Sequence, residues 1–216
     1  MIWYVYQQAK KSRYLAEVIV ATDDQRIMDT VKRFGGQAVL TSRDHRTGTD
    51  RLAEVVKNLD AELIVNIQGD EPLIHPEMID QAVEPLLKDN TLVMSTLKKQ
   101  IEDPEELASP HVVKVVTALD NKALYFSRSL LPYPREMTNQ PVYKHIGLYV
   151  YRRDFLLAFS RMEPTPLEKT ESLEQLRVLE NGYPIYVVET SYSSQGVDTP
   201  EDLARVTAVI RGQRKE

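Results

Sequence analysis

The sequence predicts an α/β protein, and three observations support this fold class. Short apolar runs alternate with amphipathic stretches over the first half of the chain, which favours right-handed βαβ units and a mostly parallel sheet. Residues 63–67 form a short β-branched run followed by Gly and Pro, as expected of a buried parallel strand. From residue 112 onward, hairpin signals replace the alternation. We therefore expect a single domain over residues 1–216 with an inserted antiparallel arm at about 112–151.

The helices of the first half share apolar residues at helical spacing, and each has a recognisable end. Basic residues close the first helix, a Gly pair closes the second, and Pro85 should kink or end the fourth because proline lacks a backbone N–H. The predicted helices cover residues 1–13, 24–34, 50–57, 75–88 and 103–107. The predicted strands between them cover residues 17–22, 37–40, 63–67 and 91–97.

The second half begins with a hairpin whose turn is Asp120-Asn121. A proline-containing loop then leads to a further strand, and Pro200 opens the last helix. We expect residues 167–180 to form one continuous helix with its leucines on the buried side. The predicted strands are 112–119, 123–127, 144–151 and 183–189, and the predicted helices are 153–160, 167–180 and 200–211.

Composition excludes several classes of protein. The net charge of −5 leaves no basic excess for a nucleic-acid backbone as the main partner. The absence of cysteine excludes a disulfide framework, a zinc–thiolate site and a cysteine nucleophile, and it fits a cytoplasmic location. No apolar run approaches the roughly 20 residues of a membrane span. We expect neither a nucleic-acid partner nor a membrane partner.

Two aspartates are candidates for a metal site. Asp70 follows the strand at 63–67, where ligands bind in open α/β sheets, and Gly69 beside it lets a ligand approach the backbone closely. Asp198 precedes the last helix, and two such acids can share one Mg²⁺. The alternative is that Asp70 is an ordinary loop acid and that Asp198 only caps the helix at Pro200.

Three further groups of residues are candidates for ligand contacts. The loop over 41–49 contains Gly48 and threonine hydroxyls that could meet a base edge, or it is a polar loop with an N-cap at Thr49. Arg128 suits a carboxylate because its fork can bind both oxygens, whereas a lone histidine such as His145 is more often structural. Glu174 and Gln175 would by default lie on a solvated helix face. The sequence has no Gly-rich phosphate loop and no zinc-ligand spacing.

Eight motifs, in order along the whole chain, together resemble those of the 3-deoxy-manno-octulosonate (Kdo) cytidylyltransferases, which make CMP-Kdo for lipopolysaccharide. The combination is highly specific, although Q-G-D-E-P alone is shared with more distant relatives. The motifs are I-V-A-T-D-D at 19–24, D-H-R-T-G-T-D-R-L-A-E-V at 44–55, V-N-I-Q-G-D-E-P at 65–72, V-K-V-V at 113–116, A-L-Y-F-S-R at 123–128, K-H-I-G-L-Y-V-Y-R at 144–152, P-L-E-K-T-E-S-L-E-Q-L-R-V-L at 166–179 and G-V-D-T-P-E-D-L at 196–203.

The resemblance implies a Rossmann-like nucleotidyltransferase fold, a homodimer built through the arm, and Mg²⁺-dependent attack of the Kdo anomeric hydroxyl on the α-phosphate of CTP. It also implies roles for particular residues. Asp70 and Asp198 would be catalytic and would hold the Mg²⁺. Those implied to bind substrate are Arg43, Thr47 and Gly48 for cytosine, Gln68 for nucleotide or sugar, and Arg128, His145, Glu174 and Gln175 for Kdo, with Arg128 nearest its carboxylate.

The chain departs from the family pattern in one respect. The family begins with a strand and a basic loop, P-A-R-x-x-S-x-R-x-P-G-K, which grips the triphosphate, and that loop is not in this sequence. We therefore expect the chain as given to be weakly active or inactive. Two alternatives are a catalytically impaired paralogue that acts as a binding or dimerising module, and a related sugar-acid cytidylyltransferase, such as one for sialic acid.

Overall fold

A computed structural model describes residues 1–45, 47–136, 140–197 and 199–213. The helices are α1 Ile2–Ala9, α2 Gln25–Arg33, α3 Gly48–Val56, α4 Pro76–Lys88, α5 Pro104–Ala108, α6 Arg153–Phe159, α7 Pro166–Glu171, α8 Gln175–Glu180 and α9 Pro200–Gln213. The strands are β1 Ile19–Thr22, β2 Gln37–Leu40, β3 Leu63–Asn66, β4 Met94–Gln100, β5 Lys114–Thr117, β6 Ala123–Ser127, β7 Tyr143–Arg152 and β8 Tyr186–Glu189. Among the described residues, none of these helices has the length and apolar character needed to cross a membrane.

The chain forms two compact units. The first comprises Met1–Leu59, Ile67–Asp80 and Tyr192–Glu216, and the second comprises Asp60–Asn66 and Gln81–Ser191. The expectation of one domain over residues 1–216 stays a prediction.

The first unit contains a parallel β–α–β arrangement. β1 and β2 pair in parallel, with Ile19 opposite Gln37. The side chain of Asp24 accepts a hydrogen bond from the backbone N–H of Arg26 and so caps α2. Gly36 follows α2 at a point where a Cβ atom would lie only 2.6 Å from the Phe34 ring, so glycine allows this close packing. The parallel βαβ unit expected here is confirmed.

The second unit is built on a six-stranded mixed sheet in which β7 is central. The strand order is β6-β5-β7-β4-β8, and β3 also pairs with β7. β7 runs antiparallel to β3, β4 and β5, whereas β4 and β8 run parallel. Antiparallel pairing is therefore more frequent than the sequence predicts, because the long strand β7 contributes three antiparallel ladders. The predicted hairpin of β5 and β6 is confirmed.

One helix prediction was wrong in detail. Residues 167–180 do not form one helix, because Ser172 adopts a left-handed conformation (φ 54°) and separates α7 from α8. A buried ion pair between Glu168 and Arg177 joins the two short helices across this break. The helix predicted over 75–88 is confirmed as α4, which does not end at Pro85, because its apolar face stays buried on both sides of the proline, at Val83 and Leu86.

Candidate active site

In the first unit, the segment after β3 presents an acidic turn. The carbonyl of Gln68 accepts a hydrogen bond from the N–H of Glu71 at 3.3 Å, which closes a tight turn through Gly69 and Asp70. Gln68 and Gly69 are exposed and Asp70 is half-buried. Within the described residues, the Asp70 carboxylate has no hydrogen-bond or ion-pair partner. Among the described residues, a Cβ atom at Gly69 would come within 4 Å of the Ile2 side chain alone, at 3.6 Å, so the turn is not crowded at this glycine.

The segment before Asp198 is held against this turn. The N–H of Val197 donates to the carbonyl of Asp70 at 3.0 Å, and the Ser194 hydroxyl donates to the Glu71 carboxylate at 2.6 Å. Farther along, the His75 and Tyr192 rings stack with centroids 4.2 Å apart. Asp198 itself lies outside the described residues, so its predicted role in a metal site stays a prediction.

The donor set at this turn fits Mg²⁺. Asp70 supplies an anionic oxygen without a partner among the described residues, and hard oxygen ligands are those that Mg²⁺ prefers. Because Mg²⁺ keeps waters and phosphate oxygens as its remaining ligands, it does not need a cage of many side chains. The part of the chain that the structure describes contains no cluster of three or more His, Asp or Glu residues, and such a cluster is not required here.

The loop before α3 is polar and ends at the N-cap of that helix. Thr47 is the N-cap of α3, because its side chain accepts a hydrogen bond from the N–H of Asp50 at 3.2 Å. The N-cap expected at Thr49 was therefore placed two residues too late, and Thr49 is buried in the first helical turn. Gly48 begins the helix with no atom within 4 Å of an added Cβ, and Arg43 is exposed.

Side chains on both sides of the loop hold it in place. The His45 imidazole contacts the Glu54 carboxylate, and this hydrogen bond, with a second one from the Ser42 N–H, lowers the pKa of Glu54. Arg51 donates to the Thr41 hydroxyl at 2.6 Å and to the Asp23 carboxylate at 3.1 Å. The loop can therefore offer its outward groups to a ligand from a fixed position.

In the second unit, Arg128 is held by carbonyl groups. Its Nε donates to the carbonyl of Glu171 at 2.8 Å, and its Nη1 donates to the carbonyl of Pro110 at 2.9 Å. The Glu171 carboxylate accepts hydrogen bonds from the Arg128 N–H and the Ser127 hydroxyl. Among the described residues Nη2 has no partner. Arg128 therefore has only Nη2 available to a carboxylate, because Nε and Nη1 already donate to carbonyls.

Lys114 supports this network and was missed as a candidate. Its side chain is fully buried, and Nζ donates to the carbonyls of Ser109 (2.7 Å) and Arg128 (3.2 Å). Burial lowers the pKa of Lys114, and the negative charge of Glu106 partly opposes that shift. A lysine within the otherwise apolar run V-K-V-V was the available signal, because lysine is almost never fully buried without partners.

His145 is a neutral, half-buried imidazole. Its Nε2 lies 2.9 Å from the Thr96 hydroxyl, and its ring packs edge-on against Phe126 with centroids 5.0 Å apart. Loss of hydration lowers the pKa of His145 from 6.5 to about 3. The ring therefore carries no charge at neutral pH and can act only through hydrogen bonds.

Glu174 and Gln175 lie at the start of α8, just after the break at Ser172. Gln175 is only 3% exposed, so the solvated face expected of this residue was wrong. Its amide Nε2 is buried without a hydrogen-bond partner among the described residues. Buried polar groups in native proteins are nearly always satisfied, so this amide indicates a place for a ligand group or a bound water.

The fold class follows from comparison with solved structures. A 4-diphosphocytidyl-2C-methyl-D-erythritol synthase from Anaerococcus prevotii has the same fold at 17% identity, with a TM-score of 0.63 over 97% of this chain and 89% of its own. A CMP:2-keto-3-deoxy-manno-octonic acid synthetase complexed with CTP matches much more closely, at 42% identity and a TM-score of 0.94 over 98% of this chain and 88% of its own. The fold is therefore that of the α/β nucleotidyltransferases.

Sequence comparison identifies one family within the α/β nucleotidyltransferases. The sequence model of the cytidylyltransferase family matches residues 1–190. A 3-deoxy-manno-octulosonate cytidylyltransferase of Geobacter metallireducens is 56% identical over 95% of this chain and 85% of its own length. The chain belongs to the 3-deoxy-manno-octulosonate cytidylyltransferase family, and the predicted resemblance is confirmed.

Proposed function

We propose that the protein transfers CMP from CTP to Kdo, giving CMP-Kdo and pyrophosphate. The similar proteins named for this reaction support the proposal, and so does the solved neighbour that is complexed with CTP. The observation that carries it is the environment of Arg128, a guanidinium held by two carbonyls with Nη2 still available. A fixed guanidinium is suited to an anionic acceptor, and Kdo is a sugar acid.

The second unit supplies the groups that fit a sugar acid. Arg128 would bind the carboxylate through Nη2, while the unpartnered Gln175 amide would donate to a sugar oxygen. Glu174 next to it would accept hydrogen bonds from sugar hydroxyls. His145 is neutral and so adds no charge to this group of residues.

The first unit supplies the groups that fit the nucleotide. Arg43, Thr47 and Gly48 lie on the fixed loop before α3 and would recognise the cytosine edge. The Gly48 N–H has no partner among the described residues, as is typical of the first turn of a helix, and it can donate to the base. Gln68 is exposed on the neighbouring acidic turn and would contact the nucleotide or the sugar.

Asp70 and Asp198 would hold a Mg²⁺ ion. When bound, this ion would neutralise phosphate charge and lower the pKa of the attacking sugar hydroxyl. The support is the unoccupied carboxylate of Asp70 and the hydrogen bond from Val197 to the Asp70 carbonyl. The protein's own contribution is to hold Asp70 on a turn that the hydrogen bond from the Glu71 N–H to the Gln68 carbonyl closes.

Assembly and location complete the proposal. Three exposed apolar side chains on the arm support a homodimer through this segment: Leu119 (107% exposed), Leu124 (63%) and Tyr133 (83%). A cytoplasmic location is proposed because the reaction consumes CTP and the chain has no cysteine for disulfides.

The formation of CMP-sugar, with release of pyrophosphate, tests the proposed reaction. The protein is incubated with CTP, Mg²⁺ and either Kdo or sialic acid, and CMP-sugar formation is followed by chromatography. Of the two sugar acids, we expect only Kdo to give product, at whatever rate the chain supports. Turnover with sialic acid in place of Kdo would identify a different sugar acid. CTP binding without turnover on either acid would instead identify a binding module.

A further inference from the structure

The Thr96 hydroxyl lies at an unusual position in the central sheet. Thr96 is fully buried, and its Oγ1 lies 2.8 Å from the carbonyl oxygen of Leu148 and 3.1 Å from that of Ile146. The pairing between β4 and β7 shifts between Thr96 and Leu97, so that Gly147 and Leu148 form a bulge in β7. This irregular pairing explains how two strand carbonyls reach one side chain.

The third neighbour of this hydroxyl is the His145 ring, whose Nε2 lies 2.9 Å from Oγ1. A hydroxyl has one proton to donate, and carbonyl oxygens can only accept. The hydroxyl proton therefore points to the Leu148 or Ile146 carbonyl, and Nε2 must be the donor to Oγ1. If Nε2 were unprotonated, the hydroxyl would face three acceptors with a single proton.

The neutral state of the His145 ring also determines the role of its other nitrogen, Nδ1. A neutral imidazole carries one proton, so when Nε2 is protonated Nδ1 is a hydrogen-bond acceptor. Nδ1 has no partner within the described residues. Phe126 and Tyr149 pack on the ring, with centroids 5.0 and 5.4 Å away, and so restrict its orientation.

We propose that Thr96 is a positioning residue that fixes His145 in the Nε2–H form, so that Nδ1 accepts a hydrogen bond from a hydroxyl group of the sugar acid. This inference rests on the proposed function. An unprotonated nitrogen repels a carboxylate and attracts a hydroxyl proton. Thr96 therefore determines which group of the substrate His145 recognises, and the carboxylate is left to Arg128.

The tautomer can be read directly in the free protein. Two-bond ¹H–¹⁵N correlations of ¹⁵N-labelled protein distinguish protonated from unprotonated ring nitrogens, and the signal of His145 is assigned by its loss in His145→Ala. We expect Nε2–H in the wild type and in Thr96→Ser, and a mixture of tautomers in Thr96→Val. Ser95→Ala is the matched control, because its hydroxyl is also buried on β4 but donates to the Ala82 carbonyl.

Kinetics test the effect on substrate. Loss of one well-placed hydrogen bond should raise the KM for Kdo about tenfold in Thr96→Val. The KM for CTP should not change, and kcat should stay within about twofold. Thr96→Ser should restore the wild-type KM, and Ser95→Ala should leave it unchanged. Because Thr96 acts through His145, Thr96→Val should add nothing to His145→Ala in the double variant.

Several results would overturn the proposal. The first is a wild-type His145 ring protonated at Nδ1, and the second is a Thr96→Val spectrum identical to that of the wild type. The third is a double variant in which the effects of Thr96→Val and His145→Ala on the KM for Kdo add. A Thr96→Val protein that shows the same loss of stability as Ser95→Ala, with no change in tautomer or KM, would mean a purely structural role. If the wild type turned over no Kdo, the proposed function and the hydroxyl contact would both fail, while the spectra would still decide whether Thr96 sets the tautomer.

Discussion

At the scale of single residues, each of the two units contains a candidate ligand-binding group that has no partner among the described residues. The Asp70 carboxylate lacks a partner among the described residues, and the buried Gln175 amide likewise lacks one. A buried polar group without a hydrogen-bond partner lowers the stability of the fold unless a ligand or water forms a hydrogen bond with it.

Asp70→Asn should reduce turnover strongly. The change keeps the shape of the side chain and removes its charge, so a metal or phosphate contact would be weakened while the turn at Gln68–Glu71 remains. We expect kcat/KM to fall by about 10²–10³, by analogy with the loss of a preorganised electrostatic contact. Pyrophosphate release over a Mg²⁺ titration measures this, with Asp103→Asn, a change at the N-cap of α5, as the control. Near-normal turnover would contradict the proposed role.

Gln175→Leu should weaken Kdo binding without weakening the fold. Removing a buried amide that has no partner should leave the free energy of unfolding unchanged or raise it, whereas the KM for Kdo should rise about tenfold or more. Gln81→Leu is a matched control, because Gln81 on α4 also has a buried oxygen without a partner. It should affect stability in the same direction and leave the KM unchanged. A large loss of stability in Gln175→Leu would point to an internal structural role.

Protonation of His145 should make the protein sensitive to acid. The folded protein holds the pKa of His145 near 3, while the unfolded chain titrates near 6.5, so the unfolded state binds more protons between these values. Stability should therefore fall as the pH drops below 6.5, by about 2 kcal/mol from this residue at pH 5. Urea unfolding of wild type and His145→Asn at pH 8 and pH 5 measures it. An equal loss in both proteins would contradict the assignment.

At the scale of elements, the break between α7 and α8 determines what the site contains. The left-handed Ser172 ends α7, and the Glu171 carboxylate before it accepts hydrogen bonds from Ser127 and Arg128. Gln175 begins α8 in a buried position. A continuous helix has no left-handed residue. The left-handed Ser172 therefore interrupts the helix between Glu171 and Gln175.

The buried pair of Glu168 and Arg177 should hold this arrangement together. Burial raises the pKa of Glu168, but hydrogen bonds from Arg177 and the Thr165 N–H outweigh that effect, so the net pKa is lowered. Glu168→Ala leaves the buried Arg177 without its carboxylate and should cost about 3–5 kcal/mol in denaturant unfolding. The control, Glu84→Ala, removes the half-buried partner of the exposed Lys88 and should cost about 0.5 kcal/mol or less. Similar costs for the two variants would contradict the importance of the buried pair.

At the scale of the whole molecule, the exposed apolar residues of the arm are the feature that a single chain does not explain. Leu119 is completely exposed, although the hairpin that carries it is well paired. Such side chains are usually covered by a partner when several lie on one segment.

A charged double variant tests the dimer. We expect the wild type to be a dimer at micromolar concentration by light scattering, and Leu119→Glu with Leu124→Glu to be a folded monomer, because charge cannot be buried at an apolar contact. Leu87→Glu is the control, since Leu87 is also exposed (52%) but lies on α4 outside the arm. A wild-type monomer, or a double variant that stays dimeric, would contradict the proposed interface.

The sequence by itself determined the elements whose signals are local. The acidic turn at Gln68–Glu71 follows a strand, contains glycine and precedes Pro72, so its position could be predicted without knowing its neighbours. The hairpin of β5 and β6 and the parallel pair of β1 and β2 were predicted for the same reason. The motifs also identified the family, because their combination along the chain is specific.

Only the tertiary structure decided which polar groups have hydrogen-bond partners and which do not. Thr96 and His145 are far apart in sequence, and their contact depends on a bulge in β7 that no local sequence pattern predicts. The burial of Gln175 and Lys114 likewise depends on what packs against them. Local propensity acts over a few neighbouring residues, whereas burial, tautomer and hydrogen-bond satisfaction depend on groups brought together from distant parts of the chain.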